Sequence, residues 1–198
     1  MYARGGKRAL DLVAGAVLLA LLAPVMAVIA LAVAARLGLP VIFRQDRAGQ
    51  GGVPFRLLKF RSMREGPGSD EERLDSFGRA LRRSGLDELP QLLNVLRGEM
   101  SLVGPRPLPL HYVPLYSPRQ ALRLAVRPGI AGPGVAAGRN AISWAARLEL
   151  DARYAGAPPT LAGDALLVMG TLGVWARGSG AAAAGHATMP PFRGGPDT

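Results

Sequence analysis

Leu12 to Ala35 is a run of 24 residues without a single charge, and no other stretch constrains the chain as much. About 20 apolar residues suffice for a helix to cross a bilayer core, so the run predicts a membrane-inserted helix. It is too long for the apolar part of a secretory signal, and no small-residue cleavage site followed by a secreted sequence is evident. Pro24 sits at its middle. A proline there removes one helix hydrogen bond and crowds the preceding turn, so a kink or break is expected at Ala23-Pro24. Basic residues flank both ends: Arg4, Lys7 and Arg8 before, Arg36, Arg44 and Arg47 after. That symmetry gives no direction to a simple span under the positive-inside tendency. Two topologies stay open. One is a single kinked transmembrane helix, the commoner arrangement; the other is a helix that enters, breaks and returns, leaving both basic flanks in the cytoplasm.

The remainder of the 198 residues is long enough for one domain with a real core. Without cysteine there are no disulfides and no thiolate metal site. Two scattered histidines, His111 and His186, argue against zinc, whereas magnesium, which prefers carboxylate and phosphate oxygens, stays open. The formal charge of +10 is carried almost wholly by arginine, Lys7 and Lys59 being the only lysines. It suggests a polyanionic partner, whether nucleic acid, anionic lipid or a phosphorylated substrate, although a general arginine and alanine bias would give the same balance.

Val41-Ile42-Phe43, the turn Gly49 to Gly52 and Phe55 to Phe60 predict a small hairpin or ribbon, with Gln45, Arg47, Lys59 and Arg61 gathered around it. Glu65 to Asp75 reads as an exposed loop, and Ser76 to Arg83 as a helical turn. The central stretch runs from Arg82 to Gly98. Its leucines at 89, 92, 93 and 96 share one face, Pro90 suits a first turn, and Gly98 is a natural stop. Asp87 reads as the N-cap, with its carboxylate on the positive end of the helix dipole, where it stays ionised and phosphate is favoured. Beside it stands Glu88. In Pro105-Arg106-Pro107 a stiff backbone holds a guanidinium suited to bidentate phosphate contact. Ser117-Pro118 starts a helix to Val126 whose Arg119, Arg123 and Arg127 form one basic stripe, either membrane-interfacial or solvated. Gly132 to Gly134 and Gly138-Arg139-Asn140 read as a glycine-rich loop whose N–H groups can approach phosphate. Ile142 to Tyr154 and Asp164 to Trp175 read as helices, and the Gly/Ala/Pro-rich residues from about 177 as a disordered tail.

Taken together, these pieces resemble the bacterial sugar transferase family, the monotopic phosphoglycosyl transferases, in its minimal form. The resemblance is carried in order by the apolar segment with its proline, Phe43 to Gly49, Phe55 to Met63, Leu86 to Leu92, Met100 to Pro107, Arg127 to Ile130 and Gly138 to Asn140. The chain departs from the family at Ala23, where a serine is usual, at Ala131, where a threonine is usual, and at Gly134 to Ala137, which lacks the usual glutamine.

The resemblance implies a mainly α fold with a small β-hairpin, a re-entrant membrane helix-break-helix over 1–38 with its break at Ala23-Pro24, and interfacial amphipathic helices. A membrane-associated catalytic domain would occupy 39–176 on the cytoplasmic face of the bacterial inner membrane, and a flexible tail 177–198. The implied reaction moves a sugar 1-phosphate from a UDP-sugar to polyprenol (undecaprenyl) phosphate through a covalent aspartyl phosphosugar, releasing UMP. Asp87 would be the nucleophile, and Glu88 would assist through Mg2+ or by taking a proton, the two carboxylates being the expected metal ligands. Arg82 is expected at the polyprenol phosphate, Arg106 at the diphosphate and Lys59 beside the carboxylates, with Arg139, Asp151 and Arg153 near the nucleotide or its sugar. Inner-membrane lipid is an expected partner, a homodimer is an expectation, and nucleic acid is not expected. The alternative is a non-catalytic, membrane-anchored basic adaptor for anionic lipid or nucleic acid.

Overall fold

The apolar run folds as one helix in the computed structural model, which describes residues 2–180 and 189–195. Helix α1 (Lys7–Leu37) is continuous, with Pro24 inside it. The helix-break-helix expected at Ala23-Pro24 is therefore corrected to a single element: a proline forfeits one backbone hydrogen bond, and thirty other helical residues carry the helix past it. Both ends of α1 rest on the same body. Near its start, Asp11 accepts hydrogen bonds from Ser101 Oγ (3.1 Å) and Leu102 N (2.9 Å), and Gly15 meets Val95 and Leu96. Near its end, Ile29 and Val33 are buried with Phe60 and Leu81, and Arg61 donates to the carbonyls of Leu37 and Gly38. Between these contacts Val17, Leu21, Val25 and Val28 are exposed.

Strands β1 (Ile42–Ala48) and β2 (Pro54–Phe60) form the expected hairpin, antiparallel from Ile42↔Phe60 to Ala48↔Pro54. Short α2 (Asp70–Arg73) follows, closed by a capping box between Ser69 and Glu72. The Asp75 side chain caps α3 (Ser76–Ser84) by accepting from Gly78 N. A 3-10 turn, Leu86–Glu88, then leads into α4 (Gln91–Arg97). Strands β3 (Ser101–Val103) and β4 (Gly129–Ala131) make a short parallel pair that the sequence does not announce. One-turn helices α5 (Pro118–Ala121) and α6 (Pro133–Ala136) precede α7 (Trp144–Ala155) and α8 (Leu161–Arg177), the last two capped by Ser143 and Thr160.

Three expectations are corrected here. The basic helix from Ser117 is one α turn followed by a 3-10 turn at Leu122–Ala125. That changes the angular step, so Arg123 turns inward to Asp151 while Arg119 pairs with Glu149 at the surface. No three-arginine stripe faces a membrane. The loop Gly132 to Gly134 is buried rather than open to phosphate. Its glycines serve close backbone approach, since a Cβ on Gly132 would stand 2.1 Å from Gly104 O. In the expected disordered tail, one described residue is anchored instead: Phe192 is buried among Leu108, Tyr112, Trp144 and Leu148. His186 and the rest of 181–188 and 196–198 lie outside the described residues.

Asn94 joins the helix to the ribbon. Fully buried, it accepts from Leu58 N (3.1 Å) and donates to Arg56 O (2.9 Å) and Glu99 Oε2 (2.6 Å). Asn94→Ala strands these groups without water and should cost about 3 kcal/mol. A lowered thermal unfolding midpoint in detergent checks this.

Candidate active site

Gly85 sets the carboxylates in place. It ends α3 at φ +72°, and a Cβ there would come within 2.5 Å of the Trp175 ring of α8, so the chain reverses tightly against α8. The 3-10 turn that follows buries both Asp87 and Glu88. Asp87 is not the expected N-cap, because Pro90 holds that position in α4 and no side chain caps it. Instead Asp87 Oδ2 lies 3.9 Å from Lys59 Nζ, and its buried Oδ1 has no hydrogen-bond partner.

Glu88 is saturated by contrast. Arg106 reaches it with two nitrogens (Nη2–Oε1 2.7 Å, Nη1–Oε2 3.1 Å), Lys59 Nζ lies 3.4 Å away, and Gln91 Nε2 donates at 3.3 Å. The two acids titrate in opposite directions as a result. Burial raises the Asp87 carboxyl, Glu88 raises it further, and Lys59, Arg106 and Arg82 only partly offset this. Burial also pushes Glu88 up, but Arg106 and Lys59 outweigh it and hold Glu88 well below the usual carboxylate range. The dipole-held, readily ionised Asp87 of the sequence reading is thus corrected: desolvation and a like charge dominate.

Both acids open onto a cavity of about 640 Å³ in which nine cations face four carboxylates. Lys59, Arg82, Asp87, Glu88, Arg106 and Arg139 all line it. Arg82 Nε donates to Ser62 Oγ (2.9 Å), and Arg139, at φ +57°, donates to Arg82 O (3.0 Å). Arg47 and Arg147 line it too, and burial together with the neighbouring Arg106 pushes each guanidinium down to about 10. Both remain charged at neutral pH, so the crowded guanidiniums favour an anion in the cavity.

Asp151 and Arg153 are placed elsewhere. Asp151, buried in α7, holds Arg123 (2.9 Å), which in turn donates to the carbonyl of Arg106, so it braces the Pro-Arg-Pro loop from behind. Arg153 pairs with Glu149 at the surface (2.7 Å), away from the cavity. Sequence reasoning missed Arg147, Tyr112 and Trp144 as lining residues, and nothing local marks them. Arg123 was visible only as one member of a stripe.

For a metal, the donors are few. Among the described residues no three His, Cys, Asp or Glu side chains converge. Glu88 has its oxygens engaged, so of the expected pair only Asp87, through Oδ1, has an oxygen to spare. One carboxylate plus substrate phosphates is an arrangement that suits magnesium.

A family model described as bacterial sugar transferase matches residues 2–178. The chain belongs to the bacterial sugar transferase family. It is similar to the uncharacterized sugar transferase EpsL of Bacillus subtilis, 48% identical over 154 residues, covering 75% of this chain and 76% of that one. A UDP-glucose:undecaprenyl-phosphate glucose-1-phosphate transferase of Caulobacter vibrioides is 47% identical over 137 residues, 64% of this chain and 51% of its own length. The Escherichia coli protein of the same description is 44% identical over 139 residues, 64% of this chain and 30% of its own. The chain thus spans about half or less of these two longer relatives.

Opposed titrations give opposed mutational effects. Glu88's depressed value contributes stability above the unfolded carboxyl pKa, and that stability is lost as pH falls from about 5. Glu88→Gln, which strands Arg106 and Lys59, should cost about 3 kcal/mol at pH 7.5 and less at pH 4.5. Asp87's raised value is a cost above it, so Asp87→Asn should be neutral or stabilising by about 1 kcal/mol at pH 7.5. Unfolding midpoints of both variants at the two pH values check the signs.

Proposed function

We propose that this transferase moves a sugar 1-phosphate from a UDP-sugar to polyprenol phosphate, releasing UMP and starting assembly of a lipid-linked glycan. One observation carries the reading: Asp87, whose buried Oδ1 has no hydrogen-bond partner, lines a cavity crowded with cations. An anion-binding adaptor gains nothing from such a carboxylate; a nucleophile needs an oxygen not committed to a hydrogen bond. The longer relatives named for UDP-glucose and undecaprenyl phosphate support the substrate class.

In the proposed chemistry, Asp87 attacks the β-phosphorus of the donor. A bond forms from the carboxylate oxygen to phosphorus, the bond to the bridging oxygen breaks, and UMP leaves with that electron pair. A phosphate oxygen of polyprenol phosphate then attacks the aspartyl phosphosugar, a diphosphate linkage forms, and Asp87 is returned as carboxylate. Ionising Asp87 beside Lys59, Arg82 and Arg106 matches it to an incoming diphosphate, whose charge those cations neutralise. Arg106 is held in register by Glu88, and Arg82 and Arg139 offer the further phosphate contacts. Mg2+, when bound through Asp87 and the diphosphate, would supply further charge neutralisation.

The membrane arrangement is part of the same proposal. We infer that α1, unbroken, lies within one leaflet with both ends on the cytoplasmic side of the inner membrane, because residues near both its ends pack on one body. The lipid acceptor then meets the cavity without leaving its own phase.

Incubating the purified protein with UDP-glucose and undecaprenyl phosphate should release UMP, and other UDP-sugars serve as further donors. Asp87→Asn should reduce release by about a thousandfold or more, and donor alone should leave a phosphosugar mass on the peptide bearing residue 87. UMP release undiminished in Asp87→Asn would remove the covalent step. For topology, the chain has no cysteine, so Ala3→Cys and Leu39→Cys give clean single labels. Both should react with an impermeant maleimide from the cytoplasmic side alone; labelling from opposite sides would make α1 a true span.

A further inference from the structure

Of the described residues 189–195, which lie beyond the family match, two line the cavity. Trp144 Nε1 donates to Pro190 O (2.9 Å), and Gln120 Nε2 to Gly195 O (3.3 Å). Phe192 sits 5.5 Å from the Trp144 ring, 5.6 Å from Tyr112 and 5.8 Å from Tyr116, and only 3% of it is exposed. Those contacts pin the segment, and beside the pin Met189 and Pro191 line the cavity together with Tyr112 and Trp144.

The cavity is therefore chemically divided. One part is mainly apolar, built from a thioether, a prolyl ring and two largely buried aromatic rings, with the Arg147 guanidinium 5.3 Å from the Trp144 ring. Another carries Arg64, Glu65, Asp70 and Arg73, and the carboxylate pair has its own arginines. A nucleoside diphosphate sugar is divided in the same way. Phosphates want guanidinium, a polyhydroxylated ring wants charged and polar partners, and a pyrimidine offers a flat, weakly solvated π face that aromatic and sulfur groups accept.

We propose that Met189–Phe192 is a wall of the donor site and that its apolar face, with Tyr112 and Trp144, receives the nucleobase of the UDP-sugar. Met189 and Pro191 make the contact, and Phe192 is the positioning residue that holds them. The proposal rests on the transferase reading above, and it assigns donor recognition to residues outside 2–178.

The test uses the full chain with Met189→Ala, Phe192→Ala and Phe192→Leu. UMP affinity is read by titration calorimetry, KM and kcat for UDP-glucose by UMP release, and inhibition by glucose 1-phosphate alongside. Loss of ring contacts worth about 1.4 kcal/mol corresponds to about tenfold. Phe192→Ala should weaken UMP binding and raise KM by about that factor, Met189→Ala by less, with kcat within about twofold. Phe192→Leu should restore most of the affinity, and inhibition by glucose 1-phosphate should not move. Wild-type UMP affinity in Met189→Ala and in a folded Phe192→Ala would overturn the proposal, as would parallel weakening of glucose 1-phosphate, which would put the sugar on this wall. Should Phe192→Ala fail to fold, Met189→Ala, whose side chain is only partly buried, decides alone. A wild type that binds UMP but turns over no donor would sink the transferase reading, while the variants would still decide the nucleobase wall.

Discussion

The bidentate pair between Arg106 and Glu88 is the contact on which the site is built. It joins a proline-bounded loop after β3 to the turn before α4, and Lys59 of β2 meets the same carboxylate. Three separated segments thus converge on one buried glutamate. Such a pair adds little net stability, since desolvating both ions offsets most of their attraction, yet breaking it is expensive. Its value is positional. Arg106 is gripped at both ends, by Glu88 at the guanidinium and by Arg123 at the carbonyl, with Asp151 behind Arg123. Occupying Glu88 so completely leaves Asp87 as the carboxylate with an oxygen to spare.

That division explains how two adjacent acids in one turn acquire different characters. Glu88 has its compensation inside the fold, whereas Asp87 has only a distant lysine and the cavity. The cations have the complementary problem. Arg47 and Arg147 are crowded by Arg106 and by burial, so the protein's own groups leave charge of both signs incompletely compensated at the cavity. In the proposed reaction a polyanionic donor would relieve the arginines, and a bond to phosphorus would discharge the aspartate. The fold carries this tension because the contacts around it are strong: the Asn94 bonds from α4 to β2, and the glycine-permitted approach of β3 to β4.

Short motifs were legible because their chemistry is local. The Asp87-Glu88 pair, the proline-bounded Arg106, the hairpin and the capping residue Ser117 each declare themselves within a few residues. What failed to show depends on distant partners. Arg123 looked like one third of a basic stripe because its spacing assumed unbroken α geometry, and only Asp151, far along the chain, explains its inward turn. Gly132 and Gly134 looked like a phosphate cradle, whereas the close passage of Gly104 and of the Arg147 stem requires them. Phe192 lay in a stretch of Gly, Ala and Pro without period, and its burial depends on Tyr112, Tyr116 and Trp144, none of them neighbours in sequence.

The inserted helix shows how a local reading and a tertiary one meet. By length alone, α1 is long enough to cross a bilayer. Tertiary contacts shorten what is free to do so. Asp11 and Gly15 are committed to β3 and α4, and Ile29 and Val33 to β2 and α3. Between Gly15 and Ile29 lie only 13 residues, about 20 Å of helix, against a hydrocarbon core of about 30 Å. A polar anchor such as Asp11, hydrogen-bonded to a backbone N–H of the body, cannot be drawn into lipid without abandoning that bond. The body therefore limits the depth of α1, and a helix held so at both ends favours entry into one leaflet over passage through two. In the proposed topology the basic residues at each end, Lys7 and Arg8 on one side and Arg36 on the other, would belong to one membrane face, one of the two arrangements that their symmetry in the sequence leaves open.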